Sequence, residues 1–283
     1  MCVDYNFSST TVTHVIATHD GNGVGGVTSL GDNVFVVCYN SQHQIEVYDT
    51  QTFTFQRHIT VPGLGNCSYG LAACPHNNCL YASDWDNDSV HRVGLELSGN
   101  NAVMKWSVAR HPAGLSVNSE HSLLVVSRDE SKLEIFTTDG TLLQNIQLRE
   151  DFGGPWHAIQ LPTGQFLVSR SDSLHRVHSV GIGGAVVRSY GGKMASQLKE
   201  MDKIRGLAVD REGRVLVADW HNNRLLVIDQ SLSSAHEMSV CVDGGLEGPR
   251  SLWYDQSRQR LYIGEDTRGR VIVIDKLKDF KIN

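Results

Sequence analysis

Apolar residues in this chain fall into short runs separated by turn residues, and no segment carries the three-and-four spacing of an amphipathic helix. The clearest block runs Ile204-Arg205-Gly206-Leu207-Ala208-Val209-Asp210, then a polar turn, then Arg214-Val215-Leu216-Val217-Ala218-Asp219-Trp220, then Arg224-Leu225-Leu226-Val227-Ile228-Asp229. It predicts three short β-strands in one meander. The Gly-Leu-Ala anchor of this block recurs, with drift, at Gly26-Val27-Thr28, Gly70-Leu71-Ala72, Gly114-Leu115-Ser116, His157-Ala158-Ile159 and Ser251-Leu252-Trp253. Successive anchors lie 44, 44, 43, 49 and 45 residues apart, which is the length of four short strands with their turns. The runs are apolar on both faces, as expected of sheets sandwiched between neighbouring sheets.

A fourth strand is predicted after each of the first five units, at Thr54–Val61, Ala102–Ala109, Leu142–Leu148, Ala185–Tyr190 and Glu237–Val242. The sixth unit ends too soon after Val271-Ile272-Val273-Ile274-Asp275 to supply its own. Its missing strand is found in Val12-Thr13-His14-Val15-Ile16-Ala17-Thr18, ahead of the first anchor. A four-stranded sheet leaves two apolar faces, which radial stacking buries, and a borrowed edge strand closes the circle. The expected fold is therefore all-β: a six-bladed β-propeller in one domain over 1–283, with an N-terminal strand at about 11–19 completing the last blade. Asp210-Arg211-Glu212-Gly213, Pro162-Thr163-Gly164 and Thr138-Asp139-Gly140 place glycine where a hairpin needs positive φ.

Composition agrees with a large core: 283 residues, 40% hydrophobic and 20% charged, exclude disorder. The net charge of −6 gives no whole-surface attraction for nucleic acid or an anionic membrane, leaving a local basic face as the relevant question. The first ten residues have no basic n-region or apolar h-region, and no stretch of eighteen apolar residues occurs, so a cytoplasmic protein without membrane contact is expected. Six cysteines without a Cys-x-x-Cys pair make no zinc ribbon or RING module. Cys74 and Cys79 flank a four-residue turn that suits a cross-strand disulfide, with reduced thiols the expected state in the cytosol.

Gly206-Leu207-Ala208-Val209-Asp210 through Val217-Ala218-Asp219-Trp220-His221-Asn222-Asn223-Arg224-Leu225 resembles the NHL repeat, whose pattern is Gly-Leu-Ala-Val-Asp, a glycine turn, then Val-Ala-Asp-x-x-Asn-x-Arg-Ile. Unit two keeps Ser83-Asp84-Trp85-Asp86-Asn87 but has Ser89 for the arginine; unit six keeps Arg270; units one, three and four are aligned with Tyr39, Arg128 and Arg170 at the position of Asp219. The resemblance covers the whole ring and speaks to fold more than activity. It implies kinship with the substrate- and RNA-binding ends of tripartite-motif proteins, with a copper/zinc amidating lyase, and with lactonase-like and kinase-linked sensor propellers. Asp219 and Arg224 are read as a fold pair that ties the loop between strands.

Propeller ligands bind where the loops before the innermost strands and those between second and third strands converge on the channel. Those loops carry Tyr69, Trp156, His157, Lys203, Arg205 and Arg250 in the first set and Arg128 and Arg170 in the second. These eight residues form the candidate binding site, a local basic-aromatic patch suited to phosphate, carboxylate or stacked bases. Trp85 and Trp220 are read as packing residues, and the long unit running through 191–203 as a loop or flap over the patch. The leading reading is a non-catalytic, monomeric module that binds a protein, a peptide or single-stranded RNA, with no cofactor, no metal and no catalytic residue. Two alternatives stay open: a metal-assisted lyase or hydrolase around His157, and the substrate-binding end of a longer tripartite-motif ubiquitin ligase. Only His157 sits on an inner-strand anchor, whereas a catalytic zinc wants about three protein ligands.

Overall fold

The computed structural model describes residues 10–95, 101–149, 152–172, 174–191 and 200–277. Six antiparallel four-stranded sheets follow one another along the chain, each a meander from channel to rim. Their innermost strands, Val24–Leu30, Leu71–Cys74, Pro112–Val117, Pro155–Gln160, Ile204–Val209 and Pro249–Asp255, neighbour one another in a closed cycle, the sixth returning to the first. The result is a six-bladed β-propeller. His14–Ala17 pairs antiparallel with Arg270–Val273, so the N-terminal strand closes the sixth blade. The outer strand of blade five differs from expectation. It spans Ala235–Met238, and Val240–Cys241 instead pairs in parallel with Thr10–Thr11, so the chain's own N-terminal segment covers that edge. Gly140, Gly164 and Gly213 have φ of +85°, +81° and +78°, as the hairpin reading requires.

The core is divided into six layers between blades. Phe35, Val37 and Ile45 of blade one meet Leu71, Leu80 and Val93 of blade two, and five similar layers complete the circuit. Near the axis the blades converge, and the space between inner strands shrinks to less than a methyl group. A Cβ on Gly206 would sit 2.6 Å from the Arg250 carbonyl oxygen, and one on Gly70 would sit 2.5 Å from that of Ala113. The anchor glycine is therefore required by close approach of the next blade. Blades four and six carry His157 and Ser251 there instead, and each side chain reaches the next blade's amide: Leu207 N–H donates to His157 Nδ1 at 3.1 Å, and Val27 N–H to Ser251 Oγ at 3.0 Å.

Just before the anchor, the pairing of first and second strands slips by a residue in blades one, three, four, five and six. A bulge leaves one residue unpaired and re-aims its side chain. Across these slips Val24, Pro112, Pro155, Ile204 and Pro249 pair with Cys38, Ser127, Arg170, Asp219 and Glu265. The equivalents of Asp219 in blades one and three are thus Cys38 and Ser127, one residue before the expected Tyr39 and Arg128. In blade one the stretch from Gly26 to Cys38 is a residue shorter than that from Gly206 to Asp219, while in blade three Gly114 to Ser127 has the same length and the pairing identifies Ser127 directly. Asp219 itself is fully buried and accepts from Arg224 Nε at 2.7 Å, while Glu265 holds Arg270 and Asp84 holds Asn87, His91 and Lys105.

Because the Gly206 clash is with backbone that cannot swing aside, Gly206→Ala should lower stability by about 1–3 kcal/mol in urea unfolding. Gly183→Ala, whose Cβ would meet nothing within 4 Å, should leave the midpoint unchanged.

Candidate functional site

The residues just before the anchors form an inner ring around one mouth of the channel: Gly25, Ala113, Trp156, Arg205 and Arg250 at the five bulges, and Tyr69 at the matching place in blade two. The residues that follow the second strands form an outer ring: Tyr39, Trp85, Arg128, Ser171, Trp220 and Asp266. In blades one, three and four the two rings complement each other in size. Where the inner residue is small, at Gly25 and Ala113, the outer partner is the large Tyr39 or Arg128; where the inner residue is Trp156, the outer is Ser171. Large side chains from both rings consequently meet over the axis.

Trp156, 5% exposed, lies at the centre of the cluster. Arg205 stacks on it with its guanidinium carbon 3.8 Å from the ring centroid, and Arg250 and Arg128 approach at 4.7 and 5.7 Å. Arg250 is also 4.5 Å from the Tyr69 ring and 5.1 Å from that of Tyr39, so three aromatic rings box one guanidinium. Such contacts contribute roughly 0.5–2 kcal/mol each, more as water is excluded. Trp85 lies against Tyr69, Trp156 and Arg128, and stacks face to face on His111 at 4.5 Å. Trp220 stacks on His221 at 4.9 Å, with Arg205 5.5 Å and Lys203 5.5 Å from its ring. Trp85 and Trp220, read from sequence as packing residues, are therefore members of the mouth. Blade equivalence put them beside the channel loops; their orientation was the missing information.

The backbone under the site is tied across blades. Ser169 Oγ accepts from His157 N–H at 3.0 Å and donates to the Arg205 carbonyl at 2.7 Å, fixing the Trp156 and Arg205 bulges relative to each other. His157 lines the channel beneath Trp156 but points into the structure. Its Nε2 donates to the Leu115 carbonyl at 3.1 Å while Nδ1 accepts from Leu207, so one neutral tautomer bridges blades three and five. Burial pushes its pKa down to about 4, against a partial upward pull from the Leu115 carbonyl. Arg170 is taken up by Asp172 in its own loop, through contacts of 2.5 and 2.8 Å. Lys203 sits at the rim, and of the long loop, residues 192–199 lie outside the described residues.

Charge at the mouth is unbalanced. Arg250 pairs with Asp266 at 3.1 Å, and Trp220 Nε1 donates to the same carboxylate at 2.7 Å. Among the described residues Arg205 and Arg128 have no carboxylate partner, and the Nε of Arg128, Arg205 and Arg250 is buried without an acceptor. Burial, with Arg250 and Arg128 adding repulsion, lowers the Arg205 pKa to about 9. Around this basic centre the rim carries carboxylates, with Asp86 and Asp129 exposed and Asp202 bridged to His175 and His221.

One cluster of ligating side chains lies elsewhere, at Asp20, Glu46 and His58 on the rim of blade one. Glu46 is already used by the amides of His19 and Asp20 and the Tyr48 hydroxyl. Glu134 in blade three serves the Ala109 amide and Ser127 hydroxyl in the same way, which marks Glu46 as a loop-capping residue. Among the described residues no comparable cluster surrounds His157. Cys74 and Cys79 face each other across the hairpin, and both are free, buried thiols.

Comparison with known proteins places this geometry. The family model of the NHL repeat matches residues 202–228, the block that includes Lys203, Arg205 and Trp220. Protein brain tumor of Drosophila melanogaster is 24% identical over 137 residues, covering 44% of this chain and 12% of that protein. The ring is an NHL-repeat propeller. Solved structures share the fold at low identity: Kuenenia stuttgartiensis hydrazine synthase (TM-score 0.67, 15% identical, 93% of this chain and 98% of that chain) and a streptogramin B lyase (0.67, 10%, 94% and 87%). Virginiamycin B lyase of Staphylococcus aureus is similar at a TM-score of 0.65 and 10% identity, over 94% of this chain and 89% of that one. The chain spans only a small part of the length of the brain tumor protein it matches.

The strut role of His157 in this NHL propeller gives a pH signature. Its native pKa of about 4 lies below the ordinary 6.5, so the stability it contributes is present above pH 6.5 and is lost as pH falls through 4. The loss is on the order of 3 kcal/mol. Urea midpoints of wild type should therefore fall between pH 6.5 and 4 more steeply than those of His157→Gln, and parallel profiles would contradict the assignment.

Proposed function

We propose that this NHL propeller is a non-catalytic interaction module whose channel mouth, built on Tyr69, Trp85, Arg128, Trp156, Arg205 and Arg250, seats a segment of a protein partner. The observation that carries the reading is the convergence of three arginines on Trp156 from blades three, five and six, two of them without a carboxylate partner among the described residues. Buried arginine-aromatic clusters are typical of interface hot spots.

Between protein and RNA, the site favours protein. Base recognition on single strands needs open aromatic faces and a basic track along the backbone. Here one face of Trp156 is covered by Arg205, Trp85 is stacked on His111, and Trp220 on His221. Exposed Asp86 and Asp129 flank the centre, so an extended polyanion would meet repulsion within a Debye length of it. An enzyme reading at the axis is disfavoured because both ring nitrogens of His157 are engaged by backbone groups of neighbouring blades.

Selection of a displayed random peptide library against the protein, beside a randomised single-stranded RNA pool at two salt concentrations, tests the reading. Peptides should be enriched, and their affinity should fall about tenfold or more in an Arg205→Ala/Arg250→Ala variant that keeps its far-ultraviolet spectrum. Salt-sensitive RNA binding lost in the same variant, with no enriched peptide, would replace the protein partner by a nucleic acid.

A further inference from the structure

We propose that Arg128, Arg205 and Arg250 form a seat for one compact oxyanion, a carboxylate or phosphate monoester carried by the partner, and that Asp266 is an internal counterion competing for it. This deepens the partner-binding reading and rests on it only for the source of the anion.

Guanidinium groups buried among aromatic rings keep their charge but lose water, so each unmet N–H needs an acceptor. Arg250 is 8% exposed, more than nine-tenths buried, and its Nε has no acceptor among the described residues, nor have those of Arg205 and Arg128. All three guanidiniums stack at one ring, Trp156, so a single small group above it can reach more than one of them. Burial first, and then repulsion from Arg250 and Arg128, disfavours Arg205 in its charged form, and an arriving anion relieves the repulsive part of that cost. Guanidinium forks match carboxylate and phosphate oxygens in particular.

Asp266 explains how the seat survives empty. Its carboxylate is only 10% exposed, spans Arg250 and Trp220 Nε1, and neutralises one of the three cations. Room for it comes from Gly248, at φ +61°, where a Cβ would come within 2.3 Å of the Asp266 carboxylate and 3.1 Å of Trp220 Nε1. The backbone holds the pair together: Asp266 N–H donates to the Gly248 carbonyl at 3.1 Å, and Gly248 N–H to Asn223 Oδ1 at 2.8 Å. A ligand oxyanion therefore meets a seat with two cations in excess. Removing the Asp266 charge while keeping its shape should strengthen binding, the opposite of what loss of a merely structural residue would do.

Titration with inorganic phosphate, followed by phosphorus NMR line width at constant ionic strength set with chloride, tests the seat on the wild-type protein. We expect saturable millimolar binding, weakened about tenfold in Arg205→Gln and tightened about threefold in Asp266→Asn. Peptides matched except for one glutamate, one phosphoserine, a free terminal carboxylate, or serine with an amidated end then identify the source of the anion. Phosphate binding no stronger than chloride, together with equal affinity for the charged and neutral peptides, overturns the proposal. So does an Asp266→Asn variant, folded by circular dichroism, that binds phosphate more weakly. Selected peptides that bind the mouth but carry no acid would leave the partner reading standing and remove the seat. Phosphate binding with no peptide selected would do the reverse.

Discussion

Everything at the mouth depends on how near the six innermost strands come to one another. At the anchors the next blade's backbone lies closer than a Cβ permits, as Gly70 and Gly206 show, and where a larger residue stands there it becomes a strut through its side chain. That tight inner circle fixes the residue preceding each anchor within reach of its counterparts, and the bulge turns it toward the axis. Four large residues of the inner ring then share a space that only small neighbours at Gly25 and Ala113 leave open. Among the described residues the candidate site is a direct product of closure, built from the ends of the inner strands.

The fold was legible because its signal is periodic. Anchor spacing, blade length and the misplaced first strand each follow from apolar runs and turn glycines, and the pairing of His14–Ala17 with the last blade agrees with them. Blade register was less legible. Cys38 and Ser127, rather than Tyr39 and Arg128, match Asp219: blade one is a residue shorter between anchor and strand end, whereas blade three keeps the spacing of blade five and only the pairing fixes its match. The site lay between these cases. Tyr69, Arg128, Trp156, Arg205 and Arg250 could be placed on one face by position alone, but which of them touch depends on side-chain direction. His157 could be mistaken for a ligand because nothing in the sequence shows that the Leu115 carbonyl and Leu207 amide take both its nitrogens. Trp85 and Trp220 stand opposite the large Tyr69 and Arg205, so size gives no hint of them, and the direction of their side chains had to come from the structure.

Under the proposed reading, electrostatics sets what the mouth accepts. A protein of net charge −6 places three arginines at the end of its channel and surrounds them with carboxylates, among them the exposed Asp86 and Asp129 and an Asp172 held by Arg170. The surplus positive charge is thereby confined to a spot about one functional group wide, with Asp266 as its partial counterweight. Such a spot distinguishes a point anion from a line of them, which is the physical difference between an acidic residue on a partner and a nucleic-acid backbone.

Arg205 and Arg250 are held and stacked at the mouth, each with an Nε–H that has no acceptor among the described residues. Proton–nitrogen NMR of the arginine Nε–H groups measures this directly. Two slowly exchanging signals are expected, shifted upfield by the Trp156, Tyr69 and Tyr39 rings, that disappear one at a time in Arg205→Lys and Arg250→Lys and move when an acidic peptide is added. Fast-exchanging signals at the positions of a solvated arginine, unmoved by any acidic peptide, would contradict this arrangement.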